Sequence, residues 1–362
     1  MISIIGAGPA GNYMAYLLAR AGKQVQVFEE HEQIGSPIQC TGLLTPALAD
    51  FLDISDEYLV NRLQRIKVCS KQQSTVITLQ KEELIVQRQW FDSYIAKKAE
   101  DAGAKYFRGH RFLDYAGGKM RIQHNGAVQD VPTDILVGAD GPFSQVARSQ
   151  GMLGDRKYYF GIQARMRYRG ERDMYEVHFG DEFPEFFGWI TPETGDIARI
   201  GLAVKGNKGM ACFERFLRMK GLSKTDIIEY QSGVIPIHDP RLPVQQGNVY
   251  LLGDAAFQVK ATTLGGIIPG MAAAEALADA LLHGRDYRKG LATLNRQLRL
   301  HLKIRKMLDK FSDADYDRLI GLVGQPRVKR IIESESREFP LKMLVKLVLA
   351  EPRLLRFAGK LV

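Results

Sequence analysis

The stretch Ile2-Ser-Ile-Ile5-Gly6-Ala-Gly8-Pro-Ala10-Gly11, read together with Val25-Gln-Val-Phe28-Glu29, decides the fold. Ile2–Ile5 reads as a short strand that runs straight into a glycine turn. An alanine- and leucine-rich helix follows to about Gly22, then a second strand closed by Glu29. Strand, glycine turn, helix, strand and carboxylate in that order form a nucleotide-binding βαβ unit. Gly6 permits the tight turn, Gly8 lets the backbone approach a pyrophosphate, and Gly11 lets the helix lie against the strand. The first N–H groups of that helix and its positive dipole end face the phosphates. Glu29, 18 residues beyond Gly11, is placed to accept hydrogen bonds from ribose hydroxyls.

Two later segments repeat the logic. Asp134-Ile-Leu-Val-Gly138-Ala-Asp140-Gly141 ends a strand with a carboxylate and a flexible glycine. Asn248-Val-Tyr-Leu-Leu-Gly253-Asp254-Ala-Ala256 does the same and leads through Thr262-Thr-Leu-Gly265-Gly266-Ile267-Ile-Pro-Gly270 into an alanine-rich helix. That helix start offers a second set of backbone donors, and Asp254 suits sugar or ribityl hydroxyls.

These three motifs, in this order, resemble the FAD-dependent monooxygenase and reductase superfamily that includes p-hydroxybenzoate hydroxylase. The closer likeness is to the geranylgeranyl reductases, the archaeal digeranylgeranylglycerophospholipid reductases among them. Four further features carry it: Pro37-Ile-Gln-Cys40-Thr-Gly42, Val86-Gln-Arg88-Gln-Trp-Phe91-Asp92, Phe187-Gly-Trp189-Ile-Thr-Pro192, and Gly265-Gly266-Ile267. The resemblance spans roughly residues 1–285. It implies FAD as the cofactor, with contacts at Ala10, Glu29, Cys40, Thr41, Arg88, Asp254, Gly266 and Ile267. The chain departs from the reductase pattern at Thr191, where an aromatic is usual, at Leu264, where a third glycine is common, and in the early arrival of Gly42.

The fold class expected is α/β (α+β overall), a Rossmann-like FAD-binding domain interleaved with an antiparallel-sheet substrate domain, plus C-terminal helices. The FAD-binding domain is expected over 1–65, 85–152 and 232–285, the substrate domain over 66–84 and 153–231, and a helical region over 286–362. That last region reads as helices broken at Gly324-Gln-Pro326, Pro340 and Pro352.

The resemblance implies an enzyme that saturates C=C bonds of geranylgeranyl or other isoprenoid chains, on ether phospholipids or a related prenyl compound. Residues 158–189 hold ten aromatics, nearly a third of the stretch against 9% of the chain. They read either as an ordinary half-buried sheet face or as an apolar tunnel for a polyisoprenoid. Period-two alternation puts Phe187 and Trp189 on one strand face, the wall expected nearest the reacting double bond. Cys40 is the candidate proton donor or modulator, or else a small residue packed on the cofactor. His178 is a weaker candidate, read as a surface strand residue, and His238 reads as structural. With one complete dinucleotide fingerprint, assigned to FAD, electrons must come from an external donor, NAD(P)H or a ferredoxin-like carrier. The alternatives are an FAD-dependent aromatic hydroxylase using NADPH and O2, an isoprenoid cyclase using reduced flavin, and a non-catalytic membrane-associated flavoprotein. The Phe187–Pro192 segment also resembles the tryptophan motif of flavin halogenases, with Phe187 in place of its first Trp.

Composition bounds the rest. No run of ~18–20 apolar residues could span a bilayer, no signal peptide is visible, and the three cysteines (Cys40, Cys69, Cys212) match no metal spacing. A cytoplasmic protein without a metal is the expectation. The net charge of +9 is uneven: residues 285–362 carry +10 and the remainder −1. A basic amphipathic tail, with an apolar stretch Leu341–Ala350, suggests peripheral contact with the cytoplasmic face of a membrane, and not with nucleic acid.

Overall fold

The computed structural model describes residues 1–338 and 340–361. Val362, the last residue of the expected basic tail, lies outside them, as does Phe339. The chain divides into two units. The first holds Met1–Ile38, Gln87–Lys157 and Ile235–Arg299; the second holds Gln39–Val86, Tyr158–Val234 and Leu300–Val362.

Six strands make the central sheet of the first unit, in the order Gln245–Gln246, Val249–Leu251, Ile135–Gly138, Ile2–Ile5, Val25–Phe28 and Lys105–Phe107. All neighbours run parallel except the edge pair of Gln245–Gln246 with Val249–Leu251. Ile2–Ile5 and Val25–Phe28 are buried along their whole length, as expected of a parallel sheet covered on both faces. The register sets Ile5 beside both Phe28 and Gly138, and Gly138 beside Leu251. The loops that follow these four strands therefore leave the sheet along one carboxyl edge, where ligands of parallel α/β sheets bind. Helices Pro9–Arg20, Arg88–Asp101 and Ile267–His283 belong to this unit. A three-stranded meander, Arg111–Ala116, Lys119–His124 and Ala127–Pro132, forms a separate sheet. Its Met120 and Ile122 join Ile5, Phe28, Leu136 and Leu251 in one core.

The second unit is built on eight strands in the order Ile227–Pro236, Tyr158–Arg167, Ile197–Val204, Gly188–Pro192, Met174–His178, Leu59–Cys69, Ser74–Val86 and Leu43–Leu44. The sheet is mixed, not wholly antiparallel: Met174–His178 runs parallel to Leu59–Cys69, and that pair joins the two groups of strands. Helix Gly209–Met219 packs Phe213 and Phe216 onto Met166, Ile190 and Ile200. The first crossing between units falls after Ile38, earlier than residue 65, because Leu59–Cys69 is an eleven-residue strand that pairs with Ser74–Val86. Residues from Leu300 onward form part of this unit instead of a third region. Their helices break where the prolines require: Asp313–Val323, Pro326–Ser334, Pro340–Ala350 and a 3-10 segment Pro352–Leu361. Among the described residues, no helix is long and apolar enough to cross a membrane.

Candidate functional site

In the first unit the site begins with space. Gly6 has φ +101°, and a Cβ there would lie 2.4 Å from Ala139 O. A Cβ on Gly11 would lie 2.1 Å from Gly6 O, so the helix rests directly on the turn. Gly8 differs: a Cβ there would meet nothing within 4 Å. Gly8 is also the N-cap of helix Pro9–Arg20, which has no side-chain cap and carries Pro9 at its first position. Two glycines serve close packing and the third leaves an open cradle at an uncapped helix end, which is what a diphosphate needs.

Glu29 is fixed beside this turn. Its Oε2 accepts from the Ala7 N–H at 2.8 Å. Its Oε1 accepts from the His31 N–H at 3.0 Å and faces the His31 ring at 2.6 Å. Asn12, fully buried, was not singled out in the sequence and braces the turn. Its amide donates to Ala7 O at 2.7 Å and Asp92 O at 2.9 Å, while its oxygen accepts from Tyr106. A buried asparagine one residue past the last motif glycine was the available signal.

The second glycine turn converges on the first through Ala10. Gly253 (φ +63°) and Gly270 leave only 3.1 and 3.2 Å between the Cβ each lacks and the Ala10 Cβ. A Cβ on Gly266, the N-cap of helix Ile267–His283, would lie 2.8 Å from Asp254 Oδ1. Burial pushes the Asp254 carboxyl up to about 6, against the opposing pull of the Arg88 charge. Arg88 makes a bidentate pair with Asp92 at 3.1 and 2.8 Å. Asp92 is itself raised by burial despite that partner. Lys260, buried and unremarked in the sequence, donates its backbone N–H to Gly265 O at 3.2 Å and braces the loop ahead of Gly266. Gly6, Gly8, Ala10, Gly11, Glu29, Arg88, Asp254, Gly266 and Ile267 all fall in this unit. Asp140 caps the short helix Gln145–Ser149, accepting from Ser144 Oγ and the Val146 N–H at 2.6 and 3.0 Å.

Cys40, Thr41, Phe187 and Trp189 belong to the second unit, and one buried amide ties two of them together. Thr41 Oγ1 donates to Gln163 Oε1 at 2.8 Å, and Trp189 Nε1 donates to the same oxygen at 3.2 Å. Gln163 in turn donates to Gln231 Oε1 at 2.7 Å. Across the sheet Trp189, Gly201 and Gln163 form one row. A Cβ on Gly201 would lie 2.7 Å from the indole, so that glycine makes room for Trp189. Phe187 meets Trp189 edge-on at 6.2 Å, as the alternation requires, and stacks on Phe186 at 4.2 Å. Gln163 was legible only as one polar residue in a strand.

The Cys40–Gly42 loop is held from below by charge. Arg199, 2% exposed, donates through Nη1 to Thr41 O at 2.6 Å and Val86 O at 3.1 Å, and through Nε to Glu193 at 3.1 Å. Arg165 adds a second bond pair to Glu193. Burial would raise the Glu193 carboxyl, but the two guanidinium groups hold it below its ordinary value. Gly42 (φ +73°) leaves no room for a side chain beneath Val86 O, and its N–H donates to Cys40 Sγ at 3.3 Å. Cys40 is half-buried.

The reading of His178 as a surface residue needs correction. It is buried, because its strand pairs inside the sheet between Leu59–Cys69 and Gly188–Pro192. Burial lowers its pKa, and Glu176 Oε2 stands 2.8 Å from its Nε2. Cys69, Glu176 and His178 bring ligand atoms within 4.8 Å of one another, but the Lys220 ammonium already occupies Glu176 at 2.8 Å. His238 is buried, with Nδ1 2.9 Å from Phe257 O.

Comparison with known proteins agrees with this geometry. Residues 4–40 match the NAD(P)-binding Rossmann-like domain family. The digeranylgeranylglycerophospholipid reductase of Methanothrix thermoacetophila is 26% identical, over 91% of this chain and 93% of that one. Its counterpart in Methanocaldococcus jannaschii is 28% identical, over 90% of each. The crystal structure of a geranylgeranyl bacteriochlorophyll reductase-like protein from Thermoplasma acidophilum has the same fold, with a TM-score of 0.85, 21% identity, and coverage of 100% of this chain and 98% of that one.

Two glycine turns converging on an uncapped helix end define the class as FAD-binding oxidoreductases of the Rossmann type. Within it, the chain is similar over nine-tenths of its length to the archaeal digeranylgeranylglycerophospholipid reductases.

Proposed function

We propose that this protein is an FAD-dependent reductase that saturates carbon–carbon double bonds in geranylgeranyl or related isoprenoid chains. The names of its archaeal relatives support the substrate class, since they are digeranylgeranylglycerophospholipid reductases. The observation that carries the reading is the Gln163 junction, which draws Thr41 and Trp189 to one oxygen at the end of an aromatic wall. Such a wall suits a hydrocarbon and offers few groups for polar chemistry.

Saturating an isolated alkene requires a hydride equivalent at one carbon and a proton at the other. FAD supplies the first when bound. The Gly8 cradle, the helix end at Ala10–Gly11, Glu29, Arg88, Asp254 and the Gly266–Ile267 helix start are the residues that would hold it. Phe187 and Trp189 orient the chain and exclude water. Cys40 carries the proton: its Sγ takes a hydrogen bond from Gly42 on a loop that Arg199 holds rigid. Electrons reach the cofactor from an external donor, NAD(P)H or a ferredoxin-like protein.

Membrane contact belongs to the same proposal, with its basis shifted. Lys342 and Lys346 fold back onto Glu335, and Lys360 onto Asp315, so these cations are partly neutralised within the unit. Leu341, Val345 and Leu349 lie one turn apart on helix Pro340–Ala350 and are 52–77% exposed. The apolar stripe, more than the charge, is the part suited to lie in a lipid surface. Deleting residues 341–362 should reduce liposome binding, and unchanged binding would remove the membrane contact.

The test of function is anaerobic. Reduced holoenzyme incubated with a geranylgeranyl lipid should yield products heavier by two hydrogen atoms per double bond. Oxygen consumption coupled to an aromatic substrate would point to a hydroxylase instead. Cys40→Ala should retain FAD and lose about tenfold or more in turnover, the usual worth of a positioned proton donor; full activity would remove Cys40 from the chemistry.

A further inference from the structure

The connector between helices Pro326–Ser334 and Pro340–Ala350 is tied to the sheet of the second unit by polar groups. Arg337 Nη2 lies 2.9 Å from Glu83 Oε2, and Arg337 Nη1 donates to the Tyr175 hydroxyl at 3.2 Å. The next residue, Glu338, accepts from Thr45 Oγ1 at 2.8 Å. Glu83, Tyr175, Thr45 and Glu338 are all buried. The two helices beside them add little apolar anchorage: Pro326–Ser334 buries Val328, and Pro340–Ala350 buries Pro340 and Leu347. A buried ion pair contributes little net stability, because both members regain hydration if they part together.

Beneath this latch lies the sheet face that carries Trp189. Tyr175 packs with Leu63 and Ile85, and Ile66 and Val177 pack against them. Val177 is the register partner of Trp189, and Tyr175, two residues earlier on its strand, shares that face. Glu83 stands opposite Leu63 and on the face of Ile85, so Arg337 reaches onto the same surface. The helix that follows is apolar nearly all round. Leu341, Val345 and Leu349 are exposed, Met343, Leu344 and Val348 are half-buried, and Leu347 is buried. In water the covered residues hold the helix down, whereas at a lipid surface they need no cover. Lipid therefore favours the detached helix over the docked one, the differential affinity that such a shift requires. Past Ala350, exposed Leu355 and Arg356 add an apolar side chain and a cation suited to anionic head groups.

We propose that helix Pro340–Ala350 is a lid on this face, latched by Arg337 and Glu338, and that an anionic lipid surface opens it. The isoprenoid chain then enters sideways from the bilayer, along Val177 toward Trp189, without crossing water. The inference rests on the membrane contact proposed above and gives that contact a second task, control of access.

Hydrogen exchange of the full-length, FAD-loaded protein tests it without relying on turnover, read by mass spectrometry with and without vesicles of phosphatidylglycerol and phosphatidylcholine. On vesicles the amides of 335–338 should exchange about tenfold or more faster, while those of 341–349 slow down. Arg337→Met combined with Glu83→Gln removes the ion pair without stranding a charge. That double variant should show the fast connector in the absence of vesicles. It should also bind vesicles about fivefold or more tightly, because no latch remains to be released. Vesicle binding by the parent that leaves 335–338 exchange unchanged would overturn the lid and keep the membrane contact. A double variant that folds yet matches the parent in both readouts would overturn the latch. Failure of the parent to bind vesicles would overturn the contact and the lid together. Should the double variant not fold, the parent with and without vesicles still decides between an opening lid and a fixed helix.

Discussion

The Rossmann unit and the mixed-sheet unit hold their functional residues by opposite means. In the first, the decisive positions are missing side chains: Gly6 and Gly11 sit where a Cβ would strike backbone oxygen, and Gly8 where it would strike nothing. In the second, they are buried polar side chains: Gln163 gathers Thr41 and Trp189, while Arg199 and Glu193 brace the loop carrying Cys40. A cofactor common to many enzymes is met by backbone geometry, which tolerates little variation. On the reading proposed above, the substrate is met instead by side-chain networks. The two kinds of construction should fail differently when altered.

The largest effect is expected at Gly11. Gly11→Ala places a methyl 2.1 Å from Gly6 O, and neither backbone can yield without breaking the βαβ turn. A loss of about 3 kcal/mol or more, seen in urea unfolding, is expected, together with loss of FAD. A stable, flavin-loaded variant would show that the helix does not rest on the turn. Arg199→Met comes next. It removes the Arg199 bonds to the carbonyls of Thr41 and Val86, though Glu193 keeps Arg165. A cost of about 3 kcal/mol is expected, with the isolated FAD signal retained. An unaffected melting curve would mean the Cys40 loop is held by other contacts.

Glu176 gives a pH-dependent version of the same contrast. Burial would raise its carboxyl, yet His178 and Lys220 hold it down to about 2. A carboxylate depressed in the folded state adds stability that is complete above its unfolded value near 4.5 and is lost as pH falls toward 2. Glu176→Gln should therefore be less stable than the parent by roughly 2–3 kcal/mol at neutral pH, and the gap should close between about pH 4.5 and 2. A constant gap across that window would mean the ion pair is not the cause. The smallest effect on stability is expected at Gly8. Gly8→Ala fits the open cradle, so the unfolding midpoint should barely move, while FAD affinity falls by about tenfold or more because the methyl occupies phosphate space. Equal losses at Gly8 and Gly11 would erase the distinction between packing glycine and binding glycine.

These differences also explain what could be read from the chain. Glycine spacing is local: Gly6, Gly8, Gly11 and Glu29 lie within one βαβ unit, so their roles followed from order and distance alone. Phe187 and Trp189 share a face because strand alternation is equally local. Gln163 and Arg199 act on residues far away in sequence, through registers such as Trp189–Gly201–Gln163 that no local pattern encodes. His178 was misplaced for that reason, since an alternating strand does not reveal how many strands flank it. The parallel pairing of Met174–His178 with Leu59–Cys69 was hidden in the same way.

Reoxidation of the cofactor is the most direct test of the account. Purified protein should be yellow, and its flavin band should bleach on chemical reduction under argon. Adding a geranylgeranyl compound without oxygen should restore the band, in step with the appearance of product two hydrogen atoms heavier per turnover. A band that stays bleached with every prenyl compound and returns only on admitting oxygen would contradict the assignment of this protein as an isoprenoid reductase.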